Sequence, residues 1–228
     1  MDKIQRLNID AIRSSLIVTQ QNFKKINATL TVKRKPPSDE VIDNLVAGYA
    51  KIDDYLANDI DLFGMGNSRL ILDLNHIVLY HNSAISQEED KSQFKATNSH
   101  FYDAKDGGIG QLMDWLTLNK NTNVWKKTAG VFTHVLSQPQ LFLEGNHRTG
   151  SLILSYLLMK QGLSPFVLSY KNAKHFFEPA ELIKKRRKKI LIDEFIHLPK
   201  QTRLFAKLLQ KEQSQHFFLK KHSNEVRL

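Results

Sequence analysis

Apolar side chains recur at helical spacing along most of this chain. In DEVIDNLVAGYAKIDDYL, Val41, Leu45, Tyr49, Ile52 and Leu56 fall on one face, with Val46 and Tyr55 beside them. Ser38, just after a Pro-Pro pair, is the expected N-cap. SRLILDLNHIVLYHN is apolar nearly all round, which predicts a buried helix. IGQLMDWLTLN predicts a third helix, and NVWKKTAGVFTHVLSQ a fourth that Pro139 ends. RTGSLILSYLLMKQG predicts a fifth, with Gly162 as its C-terminal stop. EPAELIKKRRKKILIDEFIHL and QTRLFAKLLQKEQSQHFF predict one or two more. One segment breaks the pattern: FKATNSHFYDAKDGG, residues 94–108, with β-branched and aromatic residues, turn formers and a closing Gly pair. That composition predicts a short β-hairpin flap. The expected fold class is therefore all-α with one small hairpin. Pro36-Pro37 is the expected junction between an N-terminal helical segment, 1–37, and a core spanning 38–170, followed by a basic helical extension, 171–228.

Composition narrows the function classes. The 228 residues suffice for a sizeable core, and 41% hydrophobic with 25% charged content is ordinary for a globular protein. There is no cysteine, which excludes a disulfide framework and a thiolate metal site. Met1–Asp10 is polar and lacks the apolar centre of a signal peptide. The longest apolar runs, such as LILSYLLM, are too short to span a bilayer. A cytoplasmic protein without a membrane span is expected, and delivery to another cell stays open. The net charge of +10 is concentrated at one end: residues 171–228 carry 15 Lys+Arg against 6 Asp+Glu, while residues 1–170 are nearly neutral. Nucleic-acid binding over the whole surface is thereby disfavoured, and only the tail can support it.

The densest chemistry lies in QPQLFLEGNHRTGSL, around residues 140–151. Pro139 stops one helix, Gly145-Asn146 permits a tight turn, and a new helix starts near Arg148. The first N–H groups of that helix have no partner within it and favour an anion. Gly145 allows close approach to the backbone. Arg148 adds a cationic fork suited to phosphate, and Glu144 can hold a hard cation such as Mg²⁺ beside it. On spacing alone, an ordinary turn before an ordinary helix is the better description.

FLEGNHRTG resembles the signature loop of Fic-domain proteins, whose pattern is His-x-Phe-x-Asp/Glu-Gly-Asn-Gly-Arg-x-x-Arg. The resemblance runs from about Ser68 to about Ser169 and rests on Phe142, Glu144, Gly145, Asn146 and Arg148. It implies transfer of AMP from Mg-ATP, or of another nucleotide, to a hydroxyl side chain of a target protein, which would dock on the flap at 94–108. It implies that Phe142 anchors the loop and Glu144 binds Mg²⁺. Gly145, Asn146, His147 and the amides that follow would cradle the inner phosphates, and Arg148 would hold the outer ones.

Three positions depart from that pattern. Gln140 stands where the family has its catalytic His, His147 replaces a Gly, and Ser151 replaces the second Arg. A Gln amide has no proton equilibrium near neutrality and cannot act as the base. Losing a general base costs about 10²–10⁴-fold in rate. His147 has three readings: a phosphate contact, a replacement base, or a surface residue. His100, in the predicted flap, is a further candidate to face the cleft. In the family the second Arg pairs with a glutamate of an inhibitory helix. IRSSLIVTQQN is weakly similar to that helix but has Thr19 and Gln20 after Ser15 and no Glu. A chain not restrained by that device is expected. The alternative to a transferase is a catalytically deficient Fic fold that acts by holding a nucleotide or a partner.

The remaining features divide between structure and surface chemistry. KKRRKK, residues 184–189, suits a nucleic acid, an anionic surface or an import-type signal, against the simpler reading of a solvated helix end. His134 is expected to be a hydrogen-bonded structural residue. Trp115 and Trp125 are expected in the core, and the chain past Lys221 is expected to fray.

Overall fold

A computed structural model of the chain describes residues 5–81, 87–103, 108–188 and 190–219. These residues form an all-α fold with ten α-helices among them: α1 (Ile9–Gln21), α2 (Phe23–Thr29), α3 (Asp39–Ala57), α4 (Ser68–Tyr80), α5 (Gln87–Tyr102), α6 (Ile109–Leu118), α7 (Val124–Leu136), α8 (Asn146–Met159), α9 (Ala173–Lys184) and α10 (Leu198–Lys211). Ser38 caps α3, its side chain accepting from the Val41 N–H at 3.3 Å. Gly162 adopts a left-handed conformation just beyond α8, as its place in the sequence predicts.

The helix α8 is apolar on most faces because it is sandwiched. Leu152, Ile153, Tyr156 and Met159 join a core built from α1, α3 and α4. Leu154 and Leu158 join a second core built from α7, α9 and α10. At Gly150 a Cβ would lie 2.8 Å from the Phe132 ring, so this glycine lets α8 sit hard against α7. Pro36-Pro37 does separate α2 from α3. The segment before it nevertheless packs into the main body, with Leu7, Ile12 and Leu16 in the first core. The two ends of the described chain are tied by backbone bonds, Asn8 N–H to the Phe217 carbonyl at 2.8 Å and Leu219 N–H to the Arg6 carbonyl at 2.9 Å.

Two expectations are corrected. Residues 94–102 are not a hairpin strand but the second half of α5, and residues 104–107 lie outside the described residues. The cause is tertiary. Phe101 is fully buried and stacks on Phe142 at 5.5 Å, while Phe94 packs edge-on to His76 at 5.4 Å. Their seven-residue spacing is helical, and it outweighs the local turn preference of Asn98-Ser99. The basic run is likewise not a continuous helix. α9 ends at Lys184, and the next residues run alongside the α7–α8 loop, with Gln138 N–H donating to the Arg186 carbonyl at 2.7 Å and Lys188 N–H to the Gln138 carbonyl at 3.0 Å. The terminal residues expected to fray lie outside the described residues. Among the described residues no helix is long and apolar enough to cross a membrane.

Candidate functional site

The 140–145 loop joins two helices that pack against each other, and its shape is fixed by two asparagines. Asn146 is buried and stitches the loop shut: its Oδ1 accepts from the Phe142 N–H at 2.9 Å, and its Nδ2 donates to the Phe142 carbonyl at 2.7 Å. The Asn146 side chain is therefore used inside the loop, and only its backbone N–H is left for an anion. Asn75, buried on α4, donates to the Glu144 carbonyl and to Thr149 Oγ1, each at 2.9 Å. Gly145 sits at φ 76°, and a Cβ there would lie 2.8 Å from the Asn75 amide. Only glycine serves both the backbone angle and the close approach. Phe142 is buried on Phe101, as an anchor of the loop should be.

Above this loop the first-turn amides of α8 point outward without intrahelical partners. A cavity of ≈ 530 Å³ opens beside them. Glu144, His147, Arg148 and Ser151 line it from the loop side; Leu16, Arg34 and Lys35 line it from the N-terminal segment, and Phe176 and Phe177 from α9. Its volume lies in the range of small-molecule sites. Arg148 Nη1 donates to the Val78 carbonyl at 2.8 Å, capping the last turn of α4, and its Nη2 lies 4.0 Å from Glu144. One face of its guanidinium fork is thus anchored. Burial lowers the Arg148 pKa, opposed first by Glu144. Arg34 is held by Glu181 at 3.0 Å and lies 4.6 Å from the centroid of the Phe177 ring. Both guanidinium groups stay charged at neutral pH.

His147 is the unusual member. Its Nε2 is buried with no hydrogen-bond partner. Burial pushes its pKa down to about 3, helped by Arg34, Lys184 and Arg148. The imidazole is neutral and aimed among cations, so the surface-residue reading of His147 does not describe its place. An anion bound in the cavity would neutralise those cations and raise its basicity.

Gln140 is placed differently. Its Nε2 turns back to the Leu136 carbonyl at 3.2 Å, where it caps the end of α7. His100, on α5, bonds the Gln140 carbonyl through Nε2 at 2.8 Å. So the structure brings His100 to position 140, but Gln140 is not among the cavity walls, whereas Glu144, His147, Arg148 and Ser151 share them. The Ser151 hydroxyl donates to the Arg148 carbonyl at 2.8 Å, a bond within α8. Leu16 of α1 lies across the cavity from it, so the N-terminal helix does sit beside this position.

Glu144 is exposed at the mouth, with 73% of its side chain accessible. Among the described residues no group of three or more His, Cys, Asp or Glu could hold a metal. A lone carboxylate suits a Mg²⁺ that arrives with phosphate oxygens as its other ligands.

Sequence reasoning missed Asn75, Arg34 and Lys35. Asn75 could have been found as the one amide in an otherwise apolar helix face. Arg34 and Lys35 carried no signal, since they reach the site only through packing of the N-terminal segment. His134 also differs from expectation. It tilts against Trp115 at 5.0 Å, its buried Nδ1 has no hydrogen-bond partner, and burial, then Lys188, pushes its pKa down to about 3. Comparisons with protein-family models, curated proteins and solved structures return no match to this chain.

Proposed function

We propose that this chain is a Fic-type nucleotidyltransferase that holds Mg-ATP, or another nucleotide, at the N-terminus of α8 and moves its nucleotidyl group to a protein hydroxyl, the hydroxyl oxygen bonding to the α-phosphorus as the bond to the β-phosphate breaks and, from ATP, pyrophosphate leaves. The observation that carries this reading is the cavity at the start of α8, lined by Arg148, Arg34 and Lys35 beside His147, whose Nε2 is buried without a hydrogen-bond partner. Arg148 and Arg34 suit the outer phosphates, and the aromatic pair Phe176 and Phe177 suits a base or ribose face. Glu144 would share the Mg²⁺ with the phosphates. The usual base position is filled by Gln140, which is tied to α7 and has no proton to exchange. His147 is then the group best able to take the hydroxyl proton once bound phosphates have raised its basicity. A target protein would approach along α5, which takes the place of the flap.

A second reading, nucleotide or partner binding without transfer, is favoured by the Gln140 bond to the Leu136 carbonyl. Transfer of labelled nucleotide from ATP separates the two. Under the transfer reading, His147→Gln abolishes a measurable parental activity, or Gln140→His raises it by about 10²–10⁴-fold. If Mg-ATP still binds but neither the parent nor either variant transfers label, transfer is refuted and binding alone remains; a parental signal that both variants leave unchanged would point to another base, with His100 the first to test.

A further inference from the structure

We infer that the exposed apolar turn at residues 190–196, together with the cations of α10, is a docking surface for an anionic lipid bilayer. Residues 191–211 form one helical run, a π-helical turn at Asp193–His197 leading into α10. At its start the chain exposes five large apolar side chains in seven positions: Ile190 at 43%, Leu191 at 71%, Ile192 at 55%, Phe195 at 70% and Ile196 at 59%. Single exposed apolar residues need no explanation, but a contiguous cluster of this kind marks an interaction site.

The cluster is flanked by cations on both sides. Lys184, Lys185 and Arg187 are exposed before it. After it, Lys200, Arg203, Lys207 and Lys211 are exposed at spacings of three, four and four, which puts them on one helix face. No Asp or Glu occurs between Phe195 and Lys211. Of the two acids in the turn itself, Asp193 is buried and bonded to Arg186 at 3.2 Å and to the Arg187 N–H at 3.0 Å. Glu194 is exposed; Glu181 pairs with Lys185 at 3.6 Å, and Glu178 and Glu212 share a groove with Lys207 and Lys211, so Lys200 and Arg203 carry the least opposed charge.

An apolar projection rimmed by Lys and Arg matches a bilayer interface, where acyl chains lie beneath a layer of negative headgroups. A nucleic-acid backbone matches the cations but offers nothing to five aliphatic and aromatic side chains. A symmetric contact with a second copy would bury the apolar cluster but set two cationic faces against each other. Beside Arg203 lies a cavity of ≈ 470 Å³, also lined by Lys126, Lys188 and Glu194.

Sedimentation of the full chain with vesicles tests this. Vesicles of phosphatidylcholine with about 30% phosphatidylserine should pellet the protein, and neutral phosphatidylcholine vesicles should not. Raising salt to about 0.5 M should release it at least tenfold. Leu191→Ser with Phe195→Ser, and separately Lys200→Glu with Lys207→Glu, should each weaken pelleting about tenfold or more, with unchanged helical circular dichroism. Equal pelleting with neutral vesicles, absence of pelleting at low salt, or indifference to both double variants would overturn the inference. So would concentration-dependent dimers that vanish in Leu191→Ser/Phe195→Ser, which would assign the face to a second copy.

Discussion

Acid should destabilise this protein through His147, and the size of the effect follows from its surroundings. The side chain is neutral in the folded state, with its pKa pushed to about 3, against 6.5 for the unfolded chain. Between those two values the unfolded state binds a proton that the folded state does not. Stability from this group is therefore complete above pH 6.5 and falls as pH drops toward 3. The slope is about 1.4 kcal/mol per pH unit for one proton, so lowering the pH from 6.5 to 5 costs about 2 kcal/mol. His134 adds a like contribution, its pKa also being about 3. Carboxylates elsewhere change stability too, so the informative quantity is a difference between variants. His147→Gln keeps a polar side chain of similar size but does not titrate. Urea unfolding of parent and variant at pH 7, 6 and 5 should show the variant gaining about 2 kcal/mol on the parent by pH 5. A difference that stays constant with pH would refute the burial of a neutral His147 among cations.

Other expectations concern the loop and its ligand. Asn75→Ala removes both bonds that hold Glu144 and Thr149, and should cost about 1–3 kcal/mol in denaturant unfolding. Gly145→Ala forces a left-handed angle on a residue with a Cβ and displaces the Asn75 amide, for a loss of at least roughly 1–2 kcal/mol by the same measurement. Phe142→Ala opens a hole against Phe101 and should cost about 3–5 kcal/mol in thermal or denaturant unfolding. Nucleotide binding should raise the His147 pKa while leaving the ring mainly neutral at pH 7, as a base requires. Affinity should therefore rise as pH falls into the acid range, and calorimetry in two buffers of different ionisation heat should show net proton uptake there and little at pH 7.

Most of the helices were legible because their apolar periodicity is strong. α3, α4, α6, α7 and α8 start and stop within a few residues of the expected bounds. α5 was not legible, because its polar surface hides two aromatic anchors whose partners come from α4 and from the loop. The break of the basic run at Lys184 was not legible either, since it depends on backbone bonds to Gln138, far away in sequence. At the site, the sequence located the loop, its turn glycine and the start of α8 beside Arg148. It could not show that Asn146 spends its side chain on Phe142, that Gln140 turns away onto α7, or that Arg34 reaches the cavity from another segment.

The central claim is that a nucleotide binds where Arg148 and the first turn of α8 face the His147 cavity. Calorimetric titration of Mg-ATP tests it most directly, carried out well below the melting temperature because Arg148 also caps α4 through the Val78 carbonyl. The parent should bind one Mg-ATP saturably. Arg148→Ala, with its helical circular dichroism intact, should bind about 10- to 100-fold more weakly, the worth of one charge-assisted contact to phosphate. No saturable heat from the parent at millimolar Mg-ATP, or equal affinity in Arg148→Ala, would contradict the claim.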